Sequence, residues 1–129
     1  MNRIVLFLII LISLSIANDC PKKLIIDSTK YIKNINKKNA KKAYDFMAPY
    51  FKYLNDFSDF KAYVNMFKQI ENFNMLKCEV IDKDIYDVTY EILYEDMDRN
   101  VTKKYRWIKV GSKYYTIIPK SKVFNILKY

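Results

Sequence analysis

Near residue 70 the spacing of apolar residues changes from that of a helix to that of a strand, and this switch fixes the fold class before any other feature is considered. Upstream, Leu24, Ile25, Ser28, Tyr31, Ile32 and Ile35 recur at helical spacing, with the lysines mostly off that stripe. Pro21 suits the first position of such a helix and Asp19 can cap it. Asn39 can cap a second helix with Ala40, Ala43, Tyr44 and Met47 on one face. That helix should stop before Pro49, because proline disfavours helical backbone in its predecessor. Asp56 or Ser58 opens a third, carrying Phe60, Tyr63, Val64 and Phe67. From Phe73 the period is two: Leu76, Cys78 and Val80 alternate with Lys77 and Glu79, then Val88, Tyr90, Ile92 and Tyr94 with Thr89, Glu91 and Glu95. The run MDRN turns the chain into a strand over Thr102–Val110, and the lone glycine of VGSK makes a two-residue turn into Tyr114–Ile118. Three helices followed by an antiparallel meander predict an α+β fold.

The N-terminus carries a different signal. Ile4 to Ile12 are unbroken apolar residues behind Arg3, and Ser13, Ser15 and Ala17 supply the small residues of a signal-peptidase site. The run is shorter than the ~20 apolar residues that span a bilayer. Residues 1–17 therefore read as a signal peptide and 18–129 as one domain, periplasmic or secreted and not membrane-spanning once mature. Cys20 then has three readings. A lipid anchor normally follows small residues directly, whereas the charged Asp19 precedes this thiol. A disulfide has one possible partner, Cys78, in a compartment where bridges persist. The third reading leaves Cys20 spare and Cys78 a small strand residue in the core.

Composition removes several chemistries. One glycine rules out a glycine-rich phosphate loop or dinucleotide fingerprint, and the absence of histidine removes Ser-His-Asp and Cys-His catalysis along with the commonest zinc ligand. The acidic run DKDIYD lacks the glycine and the distant glutamate of a calcium loop and reads as a solvated turn, so no metal is expected. Net charge falls in blocks of +6 over residues 18–54, −6 over 55–100 and +8 over 101–129. Opposite charges on neighbouring strands can pair across a sheet. The basic and aromatic residues of KKYRWIKVGSKYY resemble a single-strand nucleic-acid platform, but export makes nucleic acid an improbable partner and anionic envelope surfaces the sensible one.

The order of parts, KKNAKKAYDFMAPYF after a long first helix, FSDFKAYVNMF, then strands ending in KKYRWIKVGSKYYTII, resembles the nuclear transport factor 2-like superfamily of cystatin-like α+β rolls. It is similar to the small exported bacterial members described as lumazine-binding-like or of unknown function. Where members often carry a Gly-Lys-Trp-x-Ile pattern, GSKYYTI places Tyr115 at the tryptophan position. The resemblance covers roughly residues 21–119. It implies three helices packed in a strongly curved sheet, a cone with a pocket at its open end.

Tyr90, Tyr94, Tyr105, Trp107 and Tyr115 could line such a pocket, each phenol offering a polar handle to a small apolar or ring-shaped ligand. Enzymes of the superfamily set an aspartate opposite a tyrosine to move protons. Here Asp82, Asp84, Asp87, Asp96 and Asp98 fall near turns, and Asp45 is the one helical carboxylate near the expected mouth. No catalytic residue and no cofactor is assigned. The expected function is a non-enzymatic exported binding module, using a pocket for a small ligand or its sheet face for an envelope protein or a second copy of itself. The alternatives are a ketosteroid-isomerase- or dehydratase-like enzyme and a structural accessory protein of the envelope. Asn100-Val101-Thr102, preceded by Asp98, is a glycosylation acceptor pattern at an expected exposed turn.

Overall fold

The first helix, α1 (Lys22–Asn36), buries Leu24, Ser28, Tyr31, Ile32 and Ile35, the stripe its spacing predicted. It belongs to a computed structural model that describes residues 20–117. The proposed leader, the Asp19 cap and residue 118 lie outside the described residues. Pro21 directly precedes α1, where its missing N–H costs nothing. At the other end Lys38 adopts φ +61°, a left-handed helix stop usually left to glycine, while Asn39 N–H donates back to the Asn34 carbonyl at 2.8 Å. The Lys38 ammonium donates to the carbonyls of Val64 and Phe67, neutralising the negative end of another helix. Asn36 closes the same corner, accepting from Ile70 N–H at 2.7 Å and donating to its carbonyl at 3.2 Å. The end of α1 is thereby pinned to the start of the sheet.

The short α2 (Ala40–Tyr44) is capped by Asn39, whose side chain accepts from Lys42 N–H. Pro49 does not only end helical structure, as expected, but opens a further helix, α3 (Pro49–Leu54), with proline in the first turn. Among the described residues four helices therefore precede the sheet where three were predicted. In α4 (Phe57–Met66), Asp56 is the cap, accepting from Asp59 N–H at 2.9 Å, and Phe60, Tyr63 and Val64 are buried.

Four antiparallel strands follow in the order β1 (Ile70–Asp82), β2 (Ile85–Tyr94), β3 (Val101–Val110) and β4 (Lys113–Ile117). The α+β class holds. The sheet is an open meander with β1 and β4 at its edges, not closed or strongly curled as the cone would require. The segment linking α2 to α3 covers the β4 edge: Thr116 N–H donates to Phe46 carbonyl at 2.7 Å, and Ala48 N–H to Thr116 carbonyl at 3.2 Å.

The middle strand follows the predicted alternation, with Val88, Tyr90, Ile92 and Tyr94 all buried. On its other face Asp87 is also buried, and Arg106 on β3 donates to both carboxylate oxygens at 2.9 and 3.1 Å. The alternation of β1 departs from expectation. Its register shifts between Met75 and Lys77, and again between Val80 and Asp82. An extra residue on one strand flips the phase of every side chain beyond it. Phe73 and Met75 therefore join Cys78 in packing against the core, while Leu76, predicted inward, is 52% exposed; Val80 shares the face of Cys78 but, near the far end of the strand, is 56% exposed. Gly111 makes the β3–β4 turn at φ +64°, as its place in VGSK predicted.

Cys20 and Cys78 form a disulfide with Cα atoms 6.0 Å apart, which ties the start of α1 to the middle of β1. Among the described residues no helix is long and apolar enough to cross a membrane.

Candidate functional site

Tyr31, at the centre of α1 and fully buried, organises the space between the helices and the sheet. Its ring meets Trp107 edge-on at 5.7 Å, Tyr105 at 6.1 Å and Phe46 at 6.2 Å. Tyr105 reaches Tyr90 at 6.2 Å, and Tyr90 reaches Phe73 at 5.9 Å. Strand pairing explains this company. Tyr105 lies opposite Val88, and Trp107 opposite Tyr86, so both project from the same sheet face as Tyr90. Phe67 packs on Tyr63 at 5.0 Å, and the Lys103 ammonium lies 4.9 Å from the centre of the Phe67 ring and 5.5 Å from that of Tyr94.

Several phenols converge in this aromatic layer. Burial pushes the Tyr31 hydroxyl well above the ordinary phenol range, and the neighbouring Tyr63 and Tyr105 push it further. Tyr63 is raised by burial and then by Tyr94; Tyr105 by burial and then by Tyr63, Tyr94 and Tyr90. Each ionised phenol would repel the others in a medium that screens poorly, so all remain protonated and keep an O–H to donate. Tyr90 spends its proton on Ser28 Oγ at 2.7 Å, and Ser28 in turn donates to the Ile25 carbonyl at 3.2 Å. The hydroxyls of Tyr31 and Tyr94 and the indole N–H of Trp107 are buried with no hydrogen-bond partner among the described residues. Native interiors rarely leave such groups unpaired. Beside them Phe67, Phe73, Met75, Val101 and Tyr105 are only partly buried, so the helices leave this part of the sheet incompletely covered.

Of the residues expected to line a pocket, Tyr90, Tyr94, Tyr105 and Trp107 are on this face. Tyr115 is not: it pairs with Ile108 on the opposite face, and Tyr114 takes the buried position. The glycine turn sets the phase of β4 so that Tyr114 and Thr116 share the face of Trp107. Tyr31, Tyr63 and Lys103 were not anticipated. Tyr31 and Tyr63 sit on helix stripes that spacing assigns to core, and the usable signal was a hydroxyl on two such stripes facing a tyrosine-rich strand.

The carboxylates lie elsewhere. Asp45, Asp82, Asp84, Asp96 and Asp98 are exposed, and Asp87 is on the far face of the sheet, held by Arg106. Among the described residues no three acidic, cysteine or histidine side chains gather as a metal site would need. Asn100 is exposed at the entry to β3, its amide donating to Glu91 Oε1 at 2.7 Å. No protein-family model matches the chain, and no curated protein matches its sequence. The class defined here is an α+β domain of helices followed by a four-strand antiparallel meander, stapled by one disulfide.

Proposed function

We propose that the protein is an exported, non-enzymatic binding module that holds a small ligand between α1 and the sheet, a variant of the nuclear transport factor 2-like architecture with an open rather than closed roll. One observation carries this reading: the buried hydroxyls of Tyr31 and Tyr94 lack partners beside a partly uncovered aromatic wall. A ligand there would satisfy the first and cover the second. The proton-transfer alternative has less support, since a base must lie within reach of the reacting group and the carboxylates singled out are exposed or on the opposite face. Export is supported by the N-terminal apolar run and by a disulfide of the kind that persists outside the cytoplasm. Asn100, exposed at a turn, is proposed as a glycan acceptor in that compartment.

Native mass spectrometry of protein purified from its own host tests all three parts. The expected spectrum shows a chain beginning at Asn18 with one disulfide, a non-covalent adduct lost on denaturation, and a covalent increment that disappears in Asn100→Gln. A folded chain without adduct overturns the binding role. Retention of residues 1–17, or a diacylglycerol on Cys20, overturns export as a free protein. An unmodified Asn100 overturns the glycan assignment.

A further inference from the structure

The two edges of the sheet differ in what lies beside them. On β4, Thr116 exchanges backbone hydrogen bonds with Phe46 and Ala48, so that edge is covered. On β1 the Asn36 side chain takes both the N–H and the carbonyl of Ile70, which covers the first residue. Among the described residues no strand pairs with the other side of residues 71–82. Three exposed apolar side chains, Leu76, Val80 and Ile81, gather along that stretch. An open edge of this composition is a template for another strand. The register shifts after Met75 and after Val80 leave residues 77–80 as an uninterrupted run, paired in turn with Thr89, Val88, Asp87 and Tyr86. That run is the straight part of the edge.

We propose that the β1 edge pairs with the same edge of a second copy of the chain, antiparallel about a two-fold axis at Cys78, independently of any ligand. In that register Lys77 of each copy lies directly opposite Glu79 of the other. The two side chains share a sheet face, because they meet at 3.2 Å within one chain and their strand partners Thr89 and Asp87 flank Val88, which faces the core. Opposite charges attract across an antiparallel pair and like charges repel. Leu76 and Val80, one at each end of the run, then lie along the junction instead of in water. Other two-fold registers lose the match. Centring on Lys77 sets lysine against lysine, and centring on Glu79 sets glutamate against glutamate. Centring on Asn74 pairs Glu71 with Lys77 but must run across the register shift after Met75. Because the β4 edge is covered, joining the two β1 edges uses up the free edge of each copy, and assembly closes at the dimer. The contact is the sheet edge, not the sheet face expected from the sequence.

So short a ladder makes a weak, exchanging dimer. Sedimentation velocity over a concentration series reads it, on the mature protein with its Cys20–Cys78 bridge intact. Wild type is expected to pass from monomer to dimer and no further. Lys77→Glu and Glu79→Lys should each weaken self-association by about tenfold or more, since two attractive cross-strand pairs become two repulsive ones. The fold should survive in both, because the exposed Lys77–Glu79 pair contributes little to stability, and an unchanged melting temperature checks it. Mixing the two variants in equal amounts should restore a dimer holding one of each, and the double variant Lys77→Glu/Glu79→Lys should associate as wild type does. Rescue of this kind requires residues 77 and 79 to face each other across the junction. A wild-type chain still monomeric at about 1 mM overturns the inference. So do a dimer that either single variant leaves unchanged, a mixture that does not recover, and growth beyond the dimer.

Discussion

Raising the pH above 10 is expected to unfold the protein steeply, with Tyr31, Tyr63 and Tyr105 ionising only as the fold is lost. All three phenols are raised in the folded chain by burial first and by neighbouring phenols second, against an ordinary value of 10.0. The sign follows from proton counts. Above pH 10 the unfolded chain releases these protons and the folded chain keeps them, so stability complete below pH 10 falls as pH climbs toward the folded values. Each such group removes about 1.4 kcal/mol per pH unit, and the three together about 4 kcal/mol per unit. A domain of ordinary stability, about 5–15 kcal/mol, then reaches its midpoint at roughly pH 11–14. Circular dichroism and phenolate absorbance followed on one sample should move together for these residues, and Tyr31→Phe should shift the midpoint upward. Phenolate signal from all the tyrosines near pH 10, with tertiary structure retained, would show that the cluster is not buried as described.

Reduction of the Cys20–Cys78 bridge is expected to have the other large effect. The bridge closes 58 residues of chain, and the loop-entropy model assigns that closure about 4 kcal/mol, mostly by restricting the unfolded state. For a domain of this size the loss lowers the melting temperature by on the order of 20 °C. Location adds a local consequence, because α1 begins two residues after Cys20 and carries Ser28 and Tyr31 into the aromatic layer. Cys20→Ser should therefore weaken ligand retention together with stability. A melting temperature unchanged by reductant would leave the bridge without a structural role.

Much of this was legible because period and chemistry agree. The α1 stripe, the Asn39 and Asp56 caps, the alternation in β2 and the glycine turn each depend on residues close in sequence, and each is where spacing placed it. The misreadings have non-local causes. The phase of β1 flips at Leu76 because its pairing with β2 takes up an extra residue there, and no composition marks that bulge. Pro49 carries both a helix stop and a helix start, and only the packing of Phe51 decides that a new helix follows. The site was half visible. Strand alternation placed Tyr90 and Trp107 on one face, but Tyr31 and Tyr63 read as core, and only the packing of the helices sets Tyr31 against Tyr105 and Trp107 and brings Tyr63 near Tyr94. Tyr115 was expected to face inward with Tyr90 and Tyr105, and the register of β4 puts it on the other face.

The central claim is that this phenol-lined layer is a binding site and not merely packed core. A crystal structure of protein purified from its own host, resolved well enough to show bound molecules, tests it most directly. The expected result is a non-protein molecule between α1 and the sheet that hydrogen-bonds to Tyr31 or Tyr94. The contradicting result is those two hydroxyls satisfied by protein atoms, with Phe67, Phe73 and Met75 closed over them and no molecule between α1 and the sheet.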